Sequence, residues 1–290
     1  MWPLKIPMRK ASDSYRACVA RSITREGRRE RLLKSADIVQ KAGQVLREAA
    51  ADRNLHDLEA KSFTVPEIAN RTFADWAYGN GMQTIEGRVI RDELMAAPSN
   101  ERCPLCRQGT VRQLDHFMPK ILFPALCVDP LNLIPVCERC NLIKGDKHPD
   151  SADSTLLHPY LDRISHESWL DARTIHDVGT VQLRFFVSPP VSWDATLIAR
   201  AQNHFTLLEL GTRYAIEANR VISDITYGID RQRKRGGARM VRDHLREQAE
   251  TRLAVDLNSC EGVTYRTLAA DDLYCHGPST RDTPSSVASK

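Results

Sequence analysis

Three stretches decide the reading: Cys103-Pro104-Leu105-Cys106; Val111-Arg112-Gln113-Leu114-Asp115-His116; and the run 131–147, LNLIPVCERCNLIKGDK. The first and last hold two CxxC pairs, Cys103/Cys106 and Cys137/Cys140, with 30 residues between them. A CxxC turn brings both sulfurs to one side, so each pair can give two thiolates to one ion. Four thiolates make a closed tetrahedral zinc site, which holds structure and leaves no position for a substrate. So short a segment has little core of its own, and metal binding there becomes folding energy. The intervening length exceeds that of a zinc ribbon, so something is folded inside the clip. The alternative is two unrelated CxxC pairs, and their closeness in sequence weighs against it.

Inside the clip, alternation over 111–116 predicts a strand ending on an Asp-His pair. Residues 131–136 predict a second strand. Asn141 to Lys147 predicts a short helix closed near Gly145. The order is strand, strand, helix.

The strings CPLC (103–106), LDHFMPK (114–120) and NLIPVCERCNLIKGDK (132–147) resemble the zinc-containing HNH endonucleases over about 45 residues. The resemblance implies a ββα-metal unit that hydrolyses phosphodiester bonds. His116 would be the general base, since histidine titrates near neutrality. Asp115 and Asn141 would hold one Mg²⁺ or Mn²⁺ ion through oxygen, leaving positions for water and phosphate. Asn132 would orient the His116 loop by hydrogen bonding, and Lys144 would contact the phosphate. Other readings stay open: Asn141 as a helix cap, Lys144 and Lys147 as solvated side chains, and His148 as a rival for the third site position. Many relatives carry a Gly-Gly loop after the Asp-His turn. Here residues 119–126 are apolar and glycine-free, and are expected to pack on the helical flanks, with residues 157–162 and Trp169. In this respect the chain resembles HNH proteins of bacterial mobile-element and phage-defence settings.

The rest of the chain is consistent with a soluble globular α+β protein, mostly helical around the zinc-pinned unit. Of its 290 residues, 42% are hydrophobic and 27% charged, ordinary values for such a protein. The reading divides it into a helical region with a basic arm (1–100), the HNH unit (101–150), a mainly helical region (151–275) and a disordered tail (276–290). Residues 1–30 read as an extended arm. Helices are expected from Ser35 to Asp52, from Pro66 to a break at 79–81, and from Thr84 to Ala97. Beyond the unit come a strand, Val181 to Val187, and three helices: one from Ser192, one through Tyr214 to Ile225, and one over 238–257.

The net charge of +4 is modest, but its distribution is uneven. Residues 16–34 carry seven basic side chains against two acidic, and residues 231–246 seven against one. Each run fits either a polyanion contact or a solvated helix face. Cys18, Cys127, Cys260 and Cys275 stand alone, and each reads as a small buried hydrophobe or an incidental thiol. His158, His166, His176, His204 and His244 lack metal-ligand spacing. No phosphate-binding P-loop, GxGxxG or GxSxG turn is present. With neither a secretory signal nor a membrane span in view, the expected location is the cytoplasm.

Three functions fit: a DNA endonuclease, a non-catalytic zinc module that binds nucleic acid or a partner protein, and an effector nuclease held inactive by a partner. Asp115, His116 and Asn141 separate the first from the second, because a binding module has no need of a base beside a metal ligand. The flanks are large enough to serve as a homodimer surface, a dock for an ATPase or other defence partner, or a DNA-recognition surface.

Overall fold

Ala11, Tyr15, Cys18 and Val19 recur at helical spacing and form the buried face of α1 (Ala11–Val19). Tyr15 stacks on Phe73 at 5.6 Å and donates its hydroxyl to the Leu32 carbonyl at 2.8 Å. Ahead of the helix, the Leu4 N–H donates to the Pro159 carbonyl. The expected extended arm is therefore corrected over Ala11–Val19, which are helical. Alanine and cysteine give little hydropathy contrast, so the sequence does not announce that buried face. The computed structural model describes residues 3–20, 28–177 and 180–277. Part of the first basic run, 21–27, and nearly all of the expected tail lie outside the described residues.

The chain forms two units, Met1–Ile164 with Asp194–Leu208, and Ser165–Trp193 with Glu209–Lys290. Residues 1–100 and 101–150, separate in the sequence reading, share the first.

In the first unit, α2 (Arg28–Lys34) and α3 (Ala36–Ala51) follow α1. Ser35 precedes α3 without capping it and donates instead to the Arg31 carbonyl. Pro66 does not open a helix, since Glu67 has φ +63° and interrupts the backbone there. The helix α4 begins later (Asn70–Ala74) and runs into a π-helical turn, Asp75–Asn80. Gly79-Asn80-Gly81 therefore does not break the chain out of helix. A 3₁₀ turn, Gly81–Gln83, comes next, and a Cβ at Gly81 would meet Cys18 Cβ at 2.8 Å, so glycine allows α1 its close approach. Thr84 then caps α5 (Ile85–Met95), accepting from the Gly87 N–H at 3.0 Å.

The strands β1 (Gln113–His116) and β2 (Leu133–Val136) pair antiparallel, with Gln113 opposite Val136 and His116 opposite Leu133. The helix α6 (Glu138–Lys144) follows at once and ends at Gly145, φ +57°. The apolar connection between the strands packs against α3 and α4. Its Phe123 meets Phe63 edge-on at 5.1 Å. Trp169, expected beside it, belongs to the second unit. The unit closes with α7 (Ala195–Leu207), capped by Asp194. From α7 the buried Arg200 pairs with Asp162 at 2.6 Å and donates to the carbonyls of Thr155 and Leu156.

The second unit holds a hairpin of β3 (Leu170–Asp177) and β4 (Thr180–Val187). The first of these strands was not expected, because only Leu170 in it is buried. Then come α8 (Leu210–Val255), α9 (Cys260–Ala270) and α10 (Asp272–His276). The two helices expected there follow one another in α8, separated by a kink of non-helical backbone at Gly236 and Gly237, directly before the expected start of the second at Ala238. Phe185 packs edge-on against Tyr214 at 5.7 Å, and Asn258 accepts the N–H groups of Trp169 and Leu170. No helix among the described residues is long and apolar enough to cross a membrane.

Candidate active site

The four cysteines of the two CxxC pairs are buried, and their sulfurs lie within 4.8 Å of one another. Cys106 and Cys137 Sγ are 3.8 Å apart. Zinc–sulfur bonds of about 2.3 Å in a tetrahedron set their sulfurs about 3.8 Å apart, so the donor set fits zinc in both chemistry and spacing. Gly109 completes the cradle. A Cβ there would meet Cys137 Cβ at 2.6 Å and its Sγ at 2.7 Å, and the Gly109 N–H points to Cys106 Sγ at 3.4 Å.

The short β1–β2 ladder places Asp115 and His116 side by side at the end of β1. His116 Nε2 lies 2.9 Å from the Cys127 carbonyl. A carbonyl only accepts, so Nε2 carries the proton and Nδ1 keeps the lone pair. Burial pushes the His116 pKa down to about 3 against the opposing pull of that carbonyl, so the ring is neutral. Tyr78, from the π-helical turn, sets its ring edge-on to the imidazole at 4.4 Å and 70°. Its hydroxyl donates to the Leu114 carbonyl at 3.3 Å.

Lys144 is 6% exposed. Its Nζ lies 3.0 Å from Asp115 Oδ2 and donates to the His116 carbonyl at 2.7 Å and the Gly145 carbonyl at 3.3 Å. This corrects the expected phosphate contact. The position in α6 aims the ammonium inward at β1, where these acceptors engage it. Burial raises the Asp115 pKa and Lys144 opposes the rise.

Asn132 is wholly buried and brackets the chain after His116. Its Oδ1 accepts the Met118 N–H at 2.7 Å, and its Nδ2 donates to the carbonyls of Met118 and Leu126 at 3.1 and 3.2 Å. The buried carboxylate of Asp129 meets Arg47 of α3 at 3.3 Å and accepts the Leu131 N–H, which fixes the same loop from the other side. The N-cap of α6 is Cys137, so Asn141 lies inside the helix and does not cap it. His148 bonds the His56 carbonyl through Nε2 and lies against Phe123, away from the cleft described next.

One cleft of about 360 Å³ takes in Gln113, Leu114, Asp115 and His116 of β1 and Asn141 of α6. Asp146, Lys120, Tyr78 and Arg91 complete its lining. Of the five residues expected at the site, Asp115, His116 and Asn141 meet in the cleft, while Asn132 and Lys144 lie behind it. Lys120 and Asp146 fall within the motif strings but had no role assigned. Tyr78 and Arg91 are distant in sequence and gave no signal.

In the basic run 231–246, Arg233 is tied to Asp230 and to the carbonyls of Tyr274 and Cys275, and Arg242 pairs with Asp272. Arg231, Lys234, Arg235 and Arg246 remain exposed.

The chain is 29% identical over 176 residues to protein ea31 of Escherichia phage lambda, covering 59% of this chain and 58% of that protein. It is 34% identical over 73 residues to Septu protein PtuB of Bacillus thuringiensis, covering 23% of this chain and 28% of that one. It thus spans well under two thirds of either relative. No protein-family model matches the chain, and no solved structure matches it.

Proposed function

We propose that this chain is an HNH-type, metal-dependent endonuclease that hydrolyses phosphodiester bonds of DNA. The observation that carries the reading is the orientation of His116. With Nε2–H held by the Cys127 carbonyl, Nδ1 is left as a base, and His116 lines one cleft with Asp115 and Asn141. In the reaction, Nδ1 takes a proton from the attacking water. Asp115 and Asn141 supply the oxygen donors for one Mg²⁺ or Mn²⁺ ion. That ion, when bound, stabilises charge on the phosphate and the leaving oxygen. Asn132 keeps the turn after His116 in place, and Lys144 keeps the Asp115 carboxylate in place. Zinc on Cys103, Cys106, Cys137 and Cys140 pins the unit and takes no part in the chemistry.

The similarity to Septu protein PtuB supports a setting in phage defence, with an ATPase or another defence protein as partner. A single site cuts one strand at a time, so a double-strand break would call for a homodimer.

The test is cleavage of supercoiled plasmid by the wild type and His116→Ala, with Mg²⁺, Mn²⁺ or EDTA. Metal-dependent nicking lost in the variant is the expected result. Full activity in His116→Ala would overturn the base assignment. Plasmid binding without any cutting would favour a non-catalytic zinc module.

A further inference from the structure

The cleft is lined by both signs of charge: Asp115, Asp146 and Asn141 bring oxygen donors, and Arg91 and Lys120 bring cations. Lys144 does not count among those cations, because its ammonium is engaged behind the cleft.

We propose that Arg91 and Lys120 hold the phosphate at this site, so that the helices before residue 100 complete it. The proposal rests on the phosphodiester reading above and adds residues to it. Arg91 stands on α5 with its side chain 41% exposed, and pairs at 3.4 Å with its exposed neighbour Asp92. An exposed pair of this kind is worth about 0–1 kcal/mol, so a phosphate can displace it. The guanidinium fork matches two phosphate oxygens at once. Lys120 follows the His116 turn, and its Nζ lies 5.1 Å from the centre of the Tyr78 ring. The same ring meets His116 edge-on. A phosphate met by Lys120 therefore lies near the base without the ammonium bonding the imidazole. The partner is a nucleic-acid backbone, because an anion clamp beside a base and an oxygen donor set suits a phosphodiester.

The experiment uses the full chain with Arg91→Ala, Lys120→Ala and Arg91→Lys, each first checked for wild-type circular dichroism and zinc content. Binding of a fluorescein-labelled DNA duplex is measured by anisotropy without added Mg²⁺ or Mn²⁺ and without chelator, across a salt series, and plasmid cleavage is measured in Mg²⁺. Each alanine variant should weaken binding about tenfold and lower the slope of log K against log salt by about one. It should raise KM more than it lowers kcat, and Arg91→Lys should recover part of the loss. Wild-type binding and salt slope in both alanine variants would overturn the proposal while leaving a cleaving enzyme a nuclease. Weakened binding in the variants of a chain that never cuts would uphold the phosphate site and overturn the nuclease reading. If the wild type neither binds nor cuts, both fall.

Discussion

Lys144 Nζ lies 3.0 Å from Asp115 Oδ2, with both side chains at most 10% exposed, and so ties the end of α6 to the end of β1. Removing the lysine would leave a buried carboxylate without its counter-charge. Lys144→Met should therefore lower unfolding free energy by about 3–5 kcal/mol, read as a drop in the urea midpoint. Lys144→Met combined with Asp115→Asn should cost less than Lys144→Met alone, because no charge is then stranded. An unchanged midpoint in the single variant would mean that the pair contributes nothing.

Gly109 offers a cleaner test of the metal cradle than a cysteine change does, because all four ligands are kept. A methyl at this position meets the Cys137 side chain at 2.6–2.7 Å and must push it aside. Overpacking of this kind costs about 1–3 kcal/mol, and 1.4 kcal/mol is a factor of ten in affinity. Gly109→Ala should weaken zinc about tenfold or more in a chelator competition and should make chelator-induced unfolding faster. Wild-type zinc affinity in this variant would show that Cys137 is not held where a shared ion needs it.

The elements that were legible in the sequence are those whose spacing is itself the chemistry. The two CxxC turns, the Asp-His end of β1 and the strand before Cys137 follow from residue types at fixed separations, and the structure has both short strands. What escaped depends on three-dimensional packing. The buried face of α1 is made partly of small residues, and β3 carries one buried residue in eight. Lys144 could be placed near the site from sequence, but the direction of its ammonium depends on how α6 seats against β1. Tyr78 and Arg91 reach the cleft from elements about 25 to 40 residues before His116, and no local pattern reports that.

His158 and His204 are buried, and burial pushes the pKa of each down to about 4. His158 Nδ1 accepts the Tyr160 N–H at 3.2 Å, a bond that protonation of that nitrogen would remove, and His204 Nε2 bonds the Leu105 carbonyl at 2.9 Å. In the unfolded chain both would titrate near about 6.5. Stability from keeping them neutral is thus present above about pH 6.5 and is lost as pH falls toward about 4, because the unfolded state binds the protons first. His116, pushed down to about 3, titrates in the unfolded chain over the same window, so the three groups together give a slope of at most about 4 kcal/mol per pH unit there. Urea midpoints should fall steeply from about pH 6.5 to about pH 5, and His158→Gln should flatten the fall by about a third. A flat profile across the window would show that these rings do not stay neutral in the fold.

Tyr78 touches the imidazole of His116 without bonding it, so its part in cutting would be to hold the ring in place. The edge-on contact at 4.4 Å limits rotation of the imidazole about its bond to Cys127. The hydroxyl is a separate matter. Its bond to the Leu114 carbonyl is long at 3.3 Å, and burial raises its pKa to about 12, so it stays protonated at any working pH. Tyr78→Phe keeps the ring contact and should cut plasmid within about fivefold of wild type, given that one neutral hydrogen bond contributes about 1 kcal/mol. Tyr78→Ala frees the imidazole, and misplacement of a reacting group by about 1 Å costs about a hundredfold in rate. The loss should appear in kcat with KM nearly unchanged. Equal losses in both variants would assign the effect to the hydroxyl. No loss in Tyr78→Ala would mean that the Cys127 carbonyl alone holds His116 ready.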